Sequence, residues 1–279
     1  MMCVSWHKDF WIIGTNVDKM GLTLDVAVAT HGKDGIRRVE KMLLPPQDGV
    51  RYVVSWQDHE DAPVPLSMLG RNDVEVWRLD VGGVSNNRNN ATDHCLADIV
   101  VASDDDLVYE KNAFKKIVNA FENDPGLDLA TFRVKFYKDK PYPADGTTLT
   151  VPFPKNYWVS CVEIAFRRER MGDIRFNPLL GPGAPELICG EDEMFVIDAV
   201  RGGKNCRHVA ELICSHPHPS TGARVSEGIL KSSGYLIHNV YPSSCILRIL
   251  LKAYRLKRQK KCGLLFAIRN MLAGSRVVI

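Results

Sequence analysis

The apolar run Ile99-Val100-Val101-Ala102 ends in Ser103 and three consecutive aspartates, Asp104, Asp105 and Asp106. A short β-branched run of this kind predicts a buried strand, and the residues after it lie at the strand's carboxyl end. Three crowded carboxylates repel one another. A hard divalent cation, Mg²⁺ or Mn²⁺, relieves that repulsion, because oxygen ligands suit these ions. The next apolar pattern is helical: Phe114, Ile117, Val118 and Phe121 share one face, with Asn112 as candidate cap and Asp124-Pro125-Gly126 as the stop.

The same alternation precedes the aspartates. Strands are predicted at Leu24–Thr30, Val50–Trp56 and Val74–Leu79. Helices are predicted at Ile36–Leu44, at Pro65–Leu69 and from about Asn87 to Cys95, with Pro45-Pro46 ending the first. Such alternation predicts an α/β fold with a mostly parallel central sheet and helices on both faces. Ligands of these sheets bind beyond the carboxyl ends of the strands. Neither GxGxxG nor a Walker loop is present, which argues against a dinucleotide fold or P-loop. After a strand at Leu127–Phe136 the pattern loosens. A further strand is predicted at Val159–Phe166, and Phe176–Pro185 reads as a mobile loop, of which Leu180–Pro185 could close over a site.

A second acidic cluster, Gly190-Glu191-Asp192-Glu193, opens a helix that runs through Met194–Val200 to Gly202-Gly203. Acids in a first turn complement the helix dipole. A carboxylate held ionised there can also take a proton from a substrate hydroxyl. The strand-like run Cys206–Cys214 then delivers His216 and His218, each followed by proline and so held extended. His216, nearer the strand end, is the preferred metal ligand, with His218 as the alternative.

Charge divides the chain. Of its 36 Lys and Arg, nine fall in residues 241–279, which hold no Asp or Glu; the first 240 residues carry 27 basic against 33 acidic groups. A basic tail on an acidic body suits an anionic surface. In the tail, Cys245–Leu256 places Ile246, Ile249, Leu250 and Ala253 on one side and Arg248, Lys252 and Arg255 on another, before the basic cluster Lys257–Lys261 and the apolar Leu264–Met271. These are basic amphipathic helices, packed on the body or lying on an anionic membrane leaflet. The eight cysteines form no CxxC pair, which argues against a zinc ribbon or disulfide scaffold and for reduced thiols in the cytoplasm. MMCVSWHKDFWIIG lacks the h-region of a signal peptide, and no run approaches the ~20 apolar residues of a membrane span.

The order of ATHG, VVSWQD, NNRNNA, DIVVASDDDLV, GEDEMF and HPHPSTG over residues 22–225 resembles the family 2 glycosyltransferases of GT-A fold, of the bacterial polysaccharide-biosynthesis type. The resemblance implies an inverting, metal-dependent hexosyltransferase that moves a sugar from a nucleotide-diphospho-sugar, a UDP-sugar foremost, to a hydroxyl of a glycan or lipid-linked acceptor. Asp104-Asp105-Asp106 stands at its Asp-x-Asp motif. It implies Asp104, Asp106 and His216 as metal ligands, and Thr30, His31, Asp58, Arg88, Asp104 and Asp105 as donor contacts. Asp192 matches the catalytic base, with Glu191 beside it. Two positions depart from the family pattern: Thr30-His31-Gly32 after the first strand, and Gln57-Asp58 where the family's second strand ends in Asp-Asp-Gly-Ser. The nucleotide stays open on that account. The implied organisation is an extension (1–21), a catalytic domain (22–240, with a donor half to 125 and an acceptor half from 126) and the basic helices (241–279). A cytoplasmic, peripherally membrane-associated enzyme is expected, with no nucleic-acid partner. A sugar-phosphate nucleotidyltransferase and an inactive nucleotide- or carbohydrate-binding module are the alternatives.

Overall fold

The computed structural model describes residues 21–216 and 225–278. Residues 1–20 of the N-terminal extension, His218 and the Ser-Thr-Gly turn lie outside the described residues. Within them, eight strands form one sheet: β1 (Leu24–His31), β2 (Val50–Gln57), β3 (Val74–Leu79), β4 (Ile99–Asp104), β5 (Val108–Tyr109), β6 (Leu129–Phe136), β7 (Ile164–Arg167) and β8 (Cys206–His216), in the order β3-β2-β1-β4-β7-β6-β8-β5. The four strands of the first half are mutually parallel. Strand β7 runs antiparallel between β4 and β6, and β5 antiparallel on β8. The sheet is therefore mixed in its second half, which the loose pattern after Phe136 did not disclose.

Strands β1 and β4 are buried on both faces, which is why they read as largely apolar runs. One buried carboxylate interrupts β1. Asp25 accepts from Arg51 of β2 and from the backbone N–H groups of Leu96 and Ala97, so it ties β2 and the entry to β4 onto β1. Helix α1 (Gly32–Met42) packs Ile36, Val39 and Met42, and α4 (Ala113–Asn123) packs Phe114, Ile117 and Phe121. Helix α1 starts four residues before the apolar pattern does, because its first turn is glycine and charge with nothing apolar to bury. Asn112 precedes α4 without a side-chain cap.

Helix α3 (Val84–Asp93) is the exception to hydrophobic logic. Its buried residues are Ser85, Asn87, Arg88 and Ala91, mostly polar. Asparagine amides satisfy their neighbours: Asn87 donates to the Thr30 carbonyl, Asn90 to the Ser55 hydroxyl, and Asn89 exchanges two bonds with the Phe176 backbone. Asn87 Oδ1 and Arg88 Nε have no hydrogen-bond partner among the described residues, and a buried polar face of this kind marks a helix that positions chemistry rather than core.

The short helices α2 (Leu66–Leu69) and α5 (Arg168–Met171) cap loops, and α6 (Glu191–Arg201) packs Phe195 against Phe166 and Phe176. Helices α7 (Glu227–Val240), α8 (Cys245–Arg258) and α9 (Leu264–Gly274) share a second apolar cluster built on Leu230, Cys245, Ile249, Ala253, Ala267 and Met271. The packed stripe of α8 has a spacing of four. Ile249 and Ala253 are buried, whereas Ile246 and Leu250, expected on the same side, stay exposed with Leu247, Leu251 and Tyr254. No helix among the described residues is long and apolar enough to cross a membrane.

Candidate active site

The carboxyl ends of β1, β2 and β4 open into a cavity of about 1170 Å³. Thr30, His31, Asp58, Arg88, the three aspartates, Glu191, Asp192 and His216 all line it, so the residues picked from sequence converge on one place.

Asp104 is the last residue of β4. Its Oδ1 accepts from Arg88 Nη2 at 3.2 Å and from the Cys161 thiol at 3.4 Å. Asp105 is buried and engaged within the protein: Arg38 grips both carboxylate oxygens at 2.9 and 3.0 Å, and the Thr30 hydroxyl donates at 2.5 Å. That fork-on-fork geometry is the stronger kind of ion pair. Asp106 begins the crossing to β5. Because Val108 pairs with Ser215, the crossing brings Asp106 beside the end of β8, with Oδ1 3.5 Å from His216 Nε2. His31 and Asp58 pair at 2.5 Å at the exposed rim.

Arg88 sits at the centre. Nη1 meets Glu191 Oε1 at 3.0 Å and Asp192 Oδ1 at 2.6 Å, while Nη2 holds Asp104. Phe176 lies under the guanidinium at 5.5 Å. Burial alone would lower the pKa of Arg88, but Asp192, Cys161, Asp104 and Glu191 overturn that and push it up. Its Nε, buried, has no hydrogen-bond partner among the described residues.

The carboxylates feel the opposite pressure. Three of them share one cation, so the cluster carries excess negative charge. Burial pushes the Asp192 carboxyl well above the usual range, Arg88 opposes, and Glu191, Glu193 and Asp104 add to the rise. Glu193 is pushed to about 7, again by burial first. A half-buried carboxylate that binds its proton more tightly than usual is a stronger base once ionised.

The loop before α6 is less free than its prolines and glycines suggested. Val84 N donates to the Pro182 carbonyl at 2.9 Å and Ser85 Oγ to the Leu180 carbonyl at 2.8 Å, so the loop is pinned to the start of α3. Arg38, Gln57, Phe136, Trp158, Lys252 and Lys261 also line the cavity and were not singled out from sequence for it. Apart from Gln57, which lies in VVSWQD, each stands outside a motif, and only the long-range packing brings it to the wall.

Residues 62–178 match the model of glycosyl transferase family 2. No curated protein matches the sequence. Among solved structures, S. aureus TarS 1–349 in complex with UDP-GlcNAc superposes with a TM-score of 0.58 at 17% identity, over 87% of this chain and 74% of that one. The uncomplexed TarS 1–349 gives 0.56 at 17%, over 79% of this chain and 66% of that one, so this chain spans just under two thirds of that relative's length. Against a longer TarS structure the score is 0.56, over 87% of this chain and 44% of that one. At this identity the likeness is one of fold. Residues 62–178 are thus similar to glycosyl transferase family 2, and the fold of the chain is the GT-A architecture.

Proposed function

We propose that the chain is an inverting, metal-dependent glycosyltransferase that takes a nucleotide-diphospho-sugar, a UDP-sugar first among them, and passes the sugar to a hydroxyl of a glycan or lipid-linked acceptor. One observation carries the reading: Arg88 joins the Asp-x-Asp strand end to Asp192 within a single cavity. TarS structures with UDP and with UDP-GlcNAc support the nucleotide class.

In this reading residues 22–125 hold the donor and 126–240 the acceptor. Thr30, His31, Asp58 and the Asp105–Arg38 pair border the nucleotide. Asp192 takes the acceptor's proton as that oxygen attacks the anomeric carbon from the face opposite the diphosphate, which inverts the configuration. Glu191 shares Arg88 with Asp192 and holds the guanidinium in place.

The donor set fits a divalent cation. Asp106 and His216 offer an oxygen and an imidazole nitrogen 3.5 Å apart, and Asp104 stands two residues away. No group of three such ligands converges among the described residues. Mg²⁺ and Mn²⁺ are ions that one or two protein ligands can hold, with phosphate and water completing the shell. Asp106 and His216 are the residues that would hold it, with Asp104 turned to Arg88 and Cys161, and the ion would supply charge neutralisation for the departing diphosphate.

The exposed face of α8 and α9 extends the reading to location. Leu247, Leu250, Leu251, Tyr254, Leu265 and Phe266 are exposed beside the basic stretch 255–261, a pairing that suits the cytoplasmic face of an anionic membrane.

Two experiments test this. A panel of UDP-, GDP- and dTDP-sugars, with and without Mn²⁺, should give turnover for one nucleotide, and D192N should lower transfer at least about 10²-fold while leaving UDP affinity intact. Near wild-type turnover by D192N removes Asp192 as the base. L247D/L250D should lose co-sedimentation with phosphatidylglycerol vesicles; unchanged binding removes the membrane assignment.

A further inference from the structure

The cavity does not end at the acidic cluster. The same cavity is also walled by Ile188 of the pinned loop, Ile229 and Leu236 of α7 and Leu256 of α8. Two cations join this apolar wall: Lys252, one turn before Leu256, and Lys261 at the rim.

Lys252 is unusual in its company. Its Nζ donates to Ser233 Oγ at 2.9 Å and forms no ion pair within 4.0 Å among the described residues. The contrast is Lys140, its side chain almost wholly withdrawn from water, which is paired with Glu163 and ringed by aromatic faces. A half-buried ammonium with one hydroxyl partner retains two N–H donors and most of its desolvation cost. Burial accordingly pushes its pKa down, against the pull of Cys189 and Glu193. An anion bound there would remove that cost.

This wall is thus apolar and cationic at two points, in the same cavity as the proposed base. A neutral glycan would leave the lysines unanswered and wet the leucines. A phosphate ester carried on a hydrocarbon chain satisfies both.

We infer that Lys252 and Lys261 form an acceptor subsite for the phosphate ester of a lipid-linked acceptor, whose hydrocarbon lies along Ile188, Ile229, Leu236 and Leu256. This inference rests on the glycosyltransferase reading and narrows its acceptor class. It also gives the C-terminal helices a part in the site itself, in addition to any surface contact.

The test is calorimetric titration of the full chain, with UDP and Mn²⁺ present at excess so that phosphate groups do not enter the donor end. Octyl phosphate, octanol and inorganic phosphate are the three probes. Octyl phosphate should bind at least tenfold tighter than either of the others. K252Q and K261Q should each weaken it several-fold, the double variant should bring it to the level of octanol, and K252R should retain it. Should K252Q not fold, Lys261, exposed at the rim, carries the test alone through K261Q. Equal binding of octyl phosphate and octanol, equal binding of octyl phosphate and inorganic phosphate, or full affinity in folded K252Q and K261Q overturns the subsite. Turnover of a UDP-sugar without octyl phosphate binding overturns the subsite and leaves the enzyme reading standing. Octyl phosphate binding that needs both lysines, in a chain that turns over no nucleotide sugar, does the reverse.

Discussion

Arg88 Nη1 lies 2.6 Å from Asp192 Oδ1, a contact between residues 104 apart in sequence that closes the donor end of the sheet onto the first turn of α6. The same guanidinium reaches Glu191 and Asp104, so one buried cation offsets three carboxylates. Removing one partner from a buried ion cluster leaves uncompensated charge, at a cost of roughly 3–5 kcal/mol. R88M should lose stability of that order in urea unfolding and lose transfer. R88K should fall between, since an ammonium lacks the fork that spans α6 and β4. An R88M protein as stable as wild type would show that the carboxylates are neutral in the folded state.

Glu193 makes the stability of the fold depend on pH. Its folded value of about 7 lies above its ordinary 4.5, so the folded state binds the proton more tightly than the unfolded chain. The stabilisation is full below about pH 4.5 and is lost as pH rises through 7. With about 1.4 kcal/mol per pKa unit, it amounts to at most about 3 kcal/mol. E193Q removes it. The stability of wild type minus that of E193Q should therefore fall between pH 4.5 and 7 and be flat above; a difference that is constant with pH would remove Glu193 as the source.

How much of this was legible in sequence follows from where the physics is local. Strands β1, β2 and β3 were readable nearly to the residue: β1 and most of β2 are buried on both faces and leave apolar runs, while β3, a half-exposed edge strand, shows through its valines and tryptophan. Helix α1 lost its first turn in the reading because Gly32–Gly35 buries no apolar side chain. The aspartate triplet and the Glu191-Asp192 turn were visible as acids that local structure alone does not require, and the cavity does collect them. The mixed second half was not visible, since β7 is four residues long and antiparallel pairing leaves no mark in so short a run. Lys252 read as one of several tail cations. Its place on the cavity wall depends on the packing of α7 against α8 and α9, which no spacing in the tail encodes. Lys140, in a stretch of loosened pattern, meets its partner Glu163 only through the fold.

Gly183 couples the loop before α6 to α3. Its φ is +89°, and a Cβ there would stand 2.8 Å from the Gly83 Cα and 3.2 Å from the Gly83 nitrogen, backbone atoms that cannot swing aside. Gly83 precedes α3, and Arg88 follows five residues later. G183A should cost at least about 1–2 kcal/mol for the backbone conformation alone, with a further loss from the clash and a fall in turnover as Arg88 shifts. G146A is the control: its φ is +71° and nothing lies within 4 Å of the added carbon, so only the conformational cost applies. Equal loss in the two variants, with turnover unchanged in G183A, would separate the loop from the site.

Lys140 and Glu163 form a pair that is almost wholly withdrawn from water, the two side chains 1% and 0% exposed. Glu163 also accepts from the Tyr142 and Tyr157 hydroxyls, and the Lys140 ammonium sits 3.9 Å from the Trp158 ring, which lines the cavity. The pair thus stiffens the wall on which Trp158 stands. K140M strands the carboxylate and should cost roughly 3–5 kcal/mol, whereas K140M/E163Q, with no charge left to bury, should recover much of that loss. Trp158 should report the change directly, because removing the cation over its indole alters that ring's environment before any unfolding. Urea unfolding followed by tryptophan fluorescence reads both quantities. If the double variant is as unstable as K140M, the destabilisation comes from lost packing of the lysine stem among the aromatic rings, and the charge pair is not what holds the wall.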